Sequence, residues 1–236
     1  MGFKKIGIIG GLSPESTASY YLHMTRSFVR QFGSDGYPEI IIYSVNLEKY
    51  HQWRAINRWD LIAAEMIDIA NKLLQAGADI GLIATNTMHK VFYQVQQGTR
   101  LPLLHILDAT IAEIKKAGLS KVGVLGTQFT MGEHFYRDYL ARHGISALVP
   151  CIEEQELVHS IIVNELVRGT FLTASKAKYL SVIQQLIGSG AEGIVLGCTE
   201  IPLLVDQQSC DIPLFDTAVL HAEAALQAAI ADRVMG

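Results

Sequence analysis

The chain has 236 residues, of which half are apolar and 18% are charged, and its formal net charge is −4. This composition is sufficient for a packed globular core, and the lack of a long run of one charge argues against nucleic-acid binding. No stretch approaches the length of a membrane span and the start lacks a signal-peptide pattern, so we expect a cytoplasmic protein. The three cysteines, Cys151, Cys198 and Cys210, have no CxxC spacing, which argues against a disulfide framework and against a zinc site.

Short continuous apolar runs alternate with longer amphipathic segments along the chain. Such runs are typical of buried strands in a parallel sheet that helices cover on both faces. The predicted strands are Ile6 to Ile9, Glu39 to Val45, Ile80 to Ala84, Leu101 to Leu104, Val122 to Leu125, Gly193 to Leu196 and Pro213 to Phe215. The predicted helices cover residues 14–31, 59–76, 108–117, 131–142, 154–168, 173–188 and 217–232. The sequence therefore predicts an α/β fold.

Three segments of the first half recur in the second half, in the same order and at nearly equal spacing. The pairs are Lys5 to Gly10 with Lys121 to Gly126, Gly77 to Thr85 with Gly190 to Cys198, and Leu101 to Leu104 with Ile212 to Phe215. The repeat predicts two similar halves, with Thr85 equivalent to Cys198. Because ligands bind beyond the carboxyl ends of parallel strands, we expect a site in a cleft where equivalent strand ends meet.

The predicted strand ends are rich in hydroxyl, amide and thiol groups, which favours a small polar ligand. Ser13 follows the first strand and Thr127 follows the fifth. Cys198 follows the strand Gly193 to Leu196, where nearby backbone N–H groups can lower a thiol pKa from about 8.5 toward neutrality. The alternative for Cys198 is an inert buried thiol.

Other polar residues near the strand ends are candidate ligands for a carboxylate. Asn86 and Thr87 offer side-chain donors, although both residue types are also common helix caps. Arg54 could hold a carboxylate through two hydrogen bonds, or could be a solvated charge, and Arg168 is a further cationic candidate. Glu200 could orient a ligand or a proton-transfer group, or could serve as a helix cap.

Three histidines, His89, His105 and His221, are candidates for proton relay, although a single histidine is more often structural. The glycine-rich segment Gly7 to Gly11 matches neither of the two common phosphate-binding patterns, so nucleotide binding is not supported.

Four segments together resemble the aspartate/glutamate racemase superfamily, and more closely its aspartate racemase and broad-specificity amino-acid racemase branch. They are Ile8 to Thr17, Thr85 to Lys90, Leu125 to Thr127 and Leu196 to Ile201. The resemblance implies two pseudo-symmetric α/β domains, residues 1–114 with 214–236 and residues 115–213, with the C-terminal helix packed on the first. It also implies an isomerase that needs neither pyridoxal phosphate nor a metal, with its active site in the interdomain cleft, and often a homodimer.

In such enzymes one thiolate removes the α-proton and an opposite thiol returns a proton to the other face, as inversion requires. Here the resemblance places Cys198 in the second half, whereas Thr85 stands where most members carry the first cysteine. This Thr/Cys variant implies racemisation of acidic amino acids with a bias toward the L-enantiomer. Asn86, Thr87 and Thr199 would hold the α-carboxylate. Arg54, with Arg168 as a second-half candidate, would hold the side-chain carboxylate.

Two other functions are compatible with the same residues. A relative with a single cysteine, such as arylmalonate decarboxylase, protonates one face only, and other relatives are isomerases. A catalytically silent amino-acid-binding protein would keep the site and lack one acid.

Overall fold

The computed structural model describes residues 2–234, with side chains as far as residue 231. These residues form two compact units: residues 2–106 with 218–234, and residues 107–217. The chain passes from the first unit to the second after Ile106 and returns after Thr217. The boundaries that the resemblance implied differ, because they assign residues 107–114 and 214–217 to the first domain. Residues 1, 235 and 236 lie outside the described range.

The elements of the first unit alternate between strands and helices. They are β1 (Ile6–Gly10), α1 (Pro14–Phe32), β2 (Ile40–Ser44), α2 (Leu47–Ala55), α3 (Trp59–Gln75), β3 (Ile80–Ile83), a 3₁₀ helix (Thr87–Val91), α4 (Phe92–Gln97) and β4 (Leu103–Leu104).

The second unit repeats this alternation. Its elements are α5 (Ile106–Lys116), β5 (Lys121–Gly126), α6 (Gln128–Gly132), α7 (His134–Arg142), β6 (Ser146–Leu148), α8 (Ile152–Asn164), a 3₁₀ helix (Leu166–Arg168), α9 (Thr173–Gly188), β7 (Gly193–Gly197), two 3₁₀ helices (Ile201–Leu203 and Gln207–Ser209) and β8 (Leu214–Asp216). α10 (Thr217–Val234) then completes the first unit.

Both units contain a four-stranded parallel sheet with the same strand order. The orders are β2-β1-β3-β4 and β6-β5-β7-β8, so each strand of the first sheet has an equivalent in the second. The three sequence repeats fall on the equivalent pairs β1 and β5, β3 and β7, and β4 and β8. The prediction of two similar α/β units is therefore confirmed.

Alternating side chains of the first sheet enter two cores. Ile9 and Ile83 pack with α3 on one face, whereas Ile8 and Leu82 pack with α1 and α10 on the other. This division follows from strand geometry, because successive side chains point to opposite faces of a sheet. The implied return of the C-terminal helix to the first unit is confirmed by this packing.

One predicted strand has a different environment from the one expected. The run Glu39 to Val45 was expected to be buried, but in β2 the side chains of Ile42 and Tyr43 are 41% and 37% exposed. The reason is the position of β2 at the edge of its sheet, which its own apolar residues do not reveal.

Several short elements were not predicted. These are α2, α4, α6 and the three-residue strand β6. The predicted helix over residues 131–142 begins only at His134, as α7, and the predicted helix over residues 154–168 ends at Asn164 before a separate 3₁₀ turn. Within residues 2–234, no helix combines the length and apolar character needed to cross a lipid bilayer.

Candidate functional site

Cys198 is the first residue after β7, and two short hydrogen bonds connect it to its neighbours. Its Sγ donates to Oε2 of Glu200 at 3.0 Å, and the Thr199 hydroxyl donates to the same oxygen at 2.8 Å. Cys198 and Glu200 are 9% and 4% exposed. The structure therefore brings three predicted site residues together around one carboxylate oxygen.

Glycines allow the ends of β5 and β7 to lie close together just before Cys198 in the chain. Gly126 is in register with Gly197, and a Cβ on Gly126 would lie 2.9 Å from the Gly197 carbonyl oxygen. Such a distance is too short for a real Cβ contact, so a larger residue would force the strands apart. Gly126 therefore keeps the end of β5 close to the end of β7, the residue before Cys198.

The expectation that the strand end lowers the pKa of Cys198 is wrong. The pKa of this thiol is raised well above its usual range, first because burial disfavours the thiolate and second because the Glu200 carboxylate repels a second negative charge. Backbone donors at Thr199 and Glu200 act in the opposite direction but are weaker. At neutral pH Cys198 is therefore a neutral thiol.

Two residues that the sequence did not single out pack near Cys198 or hold the strand that precedes it. Tyr179 of α9 belongs to the same apolar cluster as Cys198, and its hydroxyl donates to the Val158 carbonyl at 3.1 Å. Thr217 is fully buried and donates to the carbonyl of Leu196 at 2.9 Å, which fixes the last part of β7. No local sequence signal marks these residues, because both contacts join segments about 20 residues apart along the chain.

Thr85 holds the equivalent position in the first unit, after β3. It is half-buried, and its hydroxyl forms no hydrogen bond within the described residues. Its carbonyl oxygen accepts a hydrogen bond from Nδ1 of His89 at 2.8 Å, while Nε2 of His89 accepts from the Ile106 N–H at 3.1 Å. The backbone of Thr85 is thus fixed while its hydroxyl stays available.

The hydrogen bonds of His89 show whether this residue can act as a proton relay or has a structural role. The Ile106 N–H can only donate, so Nε2 is unprotonated and the hydrogen lies on Nδ1. Burial, and after it the neighbouring His105 and His221, lower the pKa of His89 well below its usual range. His89 is therefore a neutral structural residue that positions the loop after β3.

Asn86 and Thr87 are also placed at the end of β3, and both are buried. Asn86 occupies the N-cap position of the 3₁₀ helix Thr87–Val91, but its side chain forms no capping hydrogen bond. The alternative interpretation of Asn86 as a helix cap is therefore not supported by the geometry.

Ser13 caps α1, as its position before Pro14 predicts. Its hydroxyl accepts from the Ser16 N–H at 3.3 Å, and Ser16 in turn donates to the Ala84 carbonyl at 3.2 Å. The start of α1 is thereby connected to the residue before Thr85.

The remaining predicted ligands lie on other elements. Arg54 is half-buried in the last turn of α2, and burial lowers the pKa of its guanidinium. Thr127 follows β5 at the N-cap of α6. Arg168 is exposed at the end of a 3₁₀ helix, and no described hydrogen bond or ion pair connects it to Cys198 or Glu200. Among the side chains that the structure describes, as far as residue 231, no cluster of three histidine, cysteine or acidic groups is arranged to hold a metal ion.

Comparison with known proteins gives consistent matches over nearly the whole chain. The model of the family described as Asp/Glu/hydantoin racemase matches residues 9–225. The broad specificity amino-acid racemase RacX of Bacillus subtilis (strain 168) is 27% identical, over 96% of this chain and 98% of the relative.

Two crystal structures are more similar to this chain in sequence than RacX is. A candidate Asp/Glu racemase from Yersinia pestis is 41% identical with a TM-score of 0.91, covering 96% of this chain and 99% of that one. An aspartate racemase homologue from Pyrococcus horikoshii OT3 is 37% identical with a TM-score of 0.84, again covering 96% and 99% of the two chains.

Proposed function

Because the chain belongs to the Asp/Glu/hydantoin racemase family, we propose that it is an amino-acid racemase that inverts aspartate or glutamate without a cofactor. The observation that carries the proposal is the equivalence of Thr85 and Cys198, which follow the third strands of two sheets with the same order. Inversion needs an acid–base group for each face of the α-carbon, and a repeated fold supplies two equivalent positions.

In the proposed reaction, Cys198 acts as a thiolate and removes the α-proton of the L-enantiomer. Thr85, with solvent, returns a proton to the opposite face of the planar carbanion. A threonine hydroxyl is a much weaker acid than a thiol, and no base contacts the Thr85 hydroxyl within the described residues. Racemisation is therefore faster from the L-enantiomer than from the D-enantiomer.

The polar residues at the strand ends supply the binding groups. Asn86, Thr87 and Thr199 hold the α-carboxylate, and Arg54 holds the carboxylate of the side chain. Burial supports this role for Arg54, because a charge-assisted hydrogen bond is stronger where water is partly excluded. Arg168 has the weaker support, since it is exposed at the end of its 3₁₀ helix.

One observation favours a second function on the same residues. No activating base contacts the Thr85 hydroxyl in the part of the chain that the structure describes, which suits a one-sided catalyst that exchanges or adds a proton on the Cys198 face without inversion. Such a reaction resembles that of a decarboxylase or isomerase with a single catalytic cysteine.

Hydrogen exchange in D₂O distinguishes these functions. We expect L-aspartate or L-glutamate to exchange the α-proton and to invert, whereas a one-sided catalyst exchanges without inversion and a binding protein does neither. Cys198→Ala abolishes exchange, while Cys210→Ala leaves it unchanged, because Cys210 is equally buried but lies outside the site. Exchange that persists unchanged in Cys198→Ala would exclude the proposed base.

The assembly is tested separately. We propose a homodimer that is active without pyridoxal phosphate, and sedimentation of purified protein together with its absorbance spectrum tests both statements.

A further inference from the structure

The direction of the Thr85 hydroxyl depends on the backbone that carries it. Within the described residues no hydrogen bond holds the hydroxyl itself. Threonine is branched at Cβ, so its χ1 angle has few allowed values for a given backbone conformation. Whatever fixes the backbone of Thr85 therefore also fixes where its hydroxyl points.

Two hydrogen bonds fix that backbone. The Thr85 N–H donates to the Ile83 carbonyl at 2.8 Å, which forms a tight turn directly after β3. The Thr85 carbonyl oxygen accepts from Nδ1 of His89 at 2.8 Å. The first bond is made by the backbone alone, so His89 provides the one side-chain hydrogen bond to Thr85 in the part of the chain that the structure describes.

The ring of His89 is itself held in place on several sides. It stacks on Phe92 with ring centres 5.4 Å apart and an angle of 8° between the planes. His105 and His221 meet it at steep angles, with ring centres 4.7 and 5.8 Å away. Because Nε2 accepts from the Ile106 N–H, the single hydrogen of the ring lies on Nδ1. The Nδ1–H donor is therefore fixed in one direction and in one tautomer.

We propose that His89 is a positioning residue for the second proton transfer, because its hold on the Thr85 carbonyl directs the Thr85 hydroxyl at the carbanion and so sets the fraction of carbanions that invert. This inference rests on the proposed function. In the transfer, the O–H bond of Thr85 breaks, a C–H bond forms at the α-carbon, and solvent returns a proton to the threonine oxygen. His89 exchanges no proton with the substrate.

The two faces of the carbanion give different products in D₂O. Return of a hydron from the Cys198 face gives L-aspartate, which carries deuterium once the thiol has exchanged with solvent. Delivery from the Thr85 face gives deuterated D-aspartate. A general loss of active enzyme lowers both rates equally, so the ratio of inversion to exchange reports on the Thr85 face alone.

Two substitutions separate the two hydrogen bonds of His89. Asparagine carries an amide N–H at the position of Nδ1, so His89→Asn keeps the donor to Thr85. Glutamine reaches the position of Nε2, so His89→Gln keeps an acceptor for the Ile106 N–H and loses the donor to Thr85. We expect the inversion-to-exchange ratio from L-aspartate to fall about tenfold in His89→Gln and to stay within about twofold in His89→Asn, because misalignment of a proton donor slows its transfer.

His221→Gln is the matched control. His221 is a buried histidine of the same cluster, and its Nε2 lies 3.0 Å from the Leu104 carbonyl oxygen, so it makes no bond to Thr85. We expect this variant to keep the ratio of the unmodified protein. Circular dichroism verifies that all three variants are folded.

The tautomer of His89 is tested on the unmodified protein and needs no variant. Two-bond ¹H–¹⁵N correlation spectra at pH 7, with the His89 ring assigned through its bonds to the backbone, should show a neutral ring protonated on Nδ1. Free imidazole side chains favour the other tautomer, so this result would show that the surroundings impose it.

The outcomes separate this inference from the proposed function. An unchanged ratio in His89→Gln, an equal fall in both His89 variants, or a ring protonated on Nε2 would each overturn the role of His89 while racemisation stands. An unmodified protein that exchanges without inversion, or that does neither, would instead overturn the proposed function.

Discussion

The neutral histidine His221 in the first unit makes the stability of that unit depend on pH. His221 is fully buried on α10, and Nε2 lies 3.0 Å from the Leu104 carbonyl oxygen while Nδ1 lies 3.0 Å from the Tyr20 hydroxyl. A carbonyl only accepts, so Nε2 carries the hydrogen and Nδ1 accepts from Tyr20. Both bonds are satisfied by one neutral tautomer, and protonation would place a second hydrogen opposite the tyrosine hydroxyl.

The size of the effect follows from the pKa of this ring. Burial lowers the pKa of His221 from 6.5 to about 4. One pKa unit corresponds to about 1.4 kcal/mol, so the shift is worth about 3 kcal/mol. The unfolded chain binds a proton below about pH 6.5, whereas the folded protein binds it only below about pH 4. The contribution is therefore complete above pH 6.5 and is lost as the pH falls toward 4.

Urea unfolding followed by tryptophan fluorescence measures this loss of unfolding free energy in the first unit. Both tryptophans, Trp53 and Trp59, lie in the first unit together with His221. We expect the unfolding free energy of the unmodified protein to fall more steeply between pH 6.5 and pH 4 than that of His221→Gln, by up to about 1.4 kcal/mol per pH unit. The exposed His134 provides the control, since His134→Gln keeps the steep dependence. Equal slopes for the unmodified protein and His221→Gln would refute the assignment of a buried neutral ring.

Two further substitutions test the site and the fold. Thr85→Cys should raise the rate of racemisation from the D-enantiomer several-fold, because a thiol is a far better base than a hydroxyl, and chiral chromatography of both directions shows whether it does; a gain confined to the L-enantiomer would contradict the assigned face. Gly11→Ala should lower the unfolding free energy by more than 2 kcal/mol, because the residue has φ of 77° and its Cβ would lie 2.4 Å from the Val45 backbone nitrogen. Gly118→Ala has a similar φ of 73° with open space around the new Cβ, so it isolates the backbone strain, and equal losses for the two variants would show that the close approach has no cost.

The fold was largely predictable because the central strands are continuous apolar runs and because the halves repeat. The central strands, which contain Ile6, Ile80 and Ile194, are buried on both faces. Such strands can be predicted from their own residues, because all of these residues are apolar. The edge strands β2 and β6 cannot be predicted in the same way, because their exposure depends on whether another strand pairs beside them. α2 was missed for a related reason: Tyr50 is its one buried residue, so it has no apolar stripe to recognise.

The position of the candidate residues at the strand ends was predictable, but their electrostatics were not. The repeat and the strand ends identified Cys198, Thr199 and Glu200 as neighbours, and the structure joins them through Oε2. The direction of the Cys198 pKa could not be derived from the strand end alone. It depends on the degree of burial and on the rotamer that directs Glu200 at the sulfur, and both arise only on folding.

The path of the chain through the two units determines the order in which they can be completed during synthesis. The second unit is one continuous stretch that is finished at Thr217, whereas the first unit lacks α10 until the residues that follow Thr217 have left the ribosome. Until then, α1 alone packs on the face of the first sheet that carries Ile8 and Leu82, and the alanines of α10 complete this core later. The nascent chain therefore has a complete second unit while its first unit is incomplete, and the partly covered sheet face is the surface that a chaperone would protect.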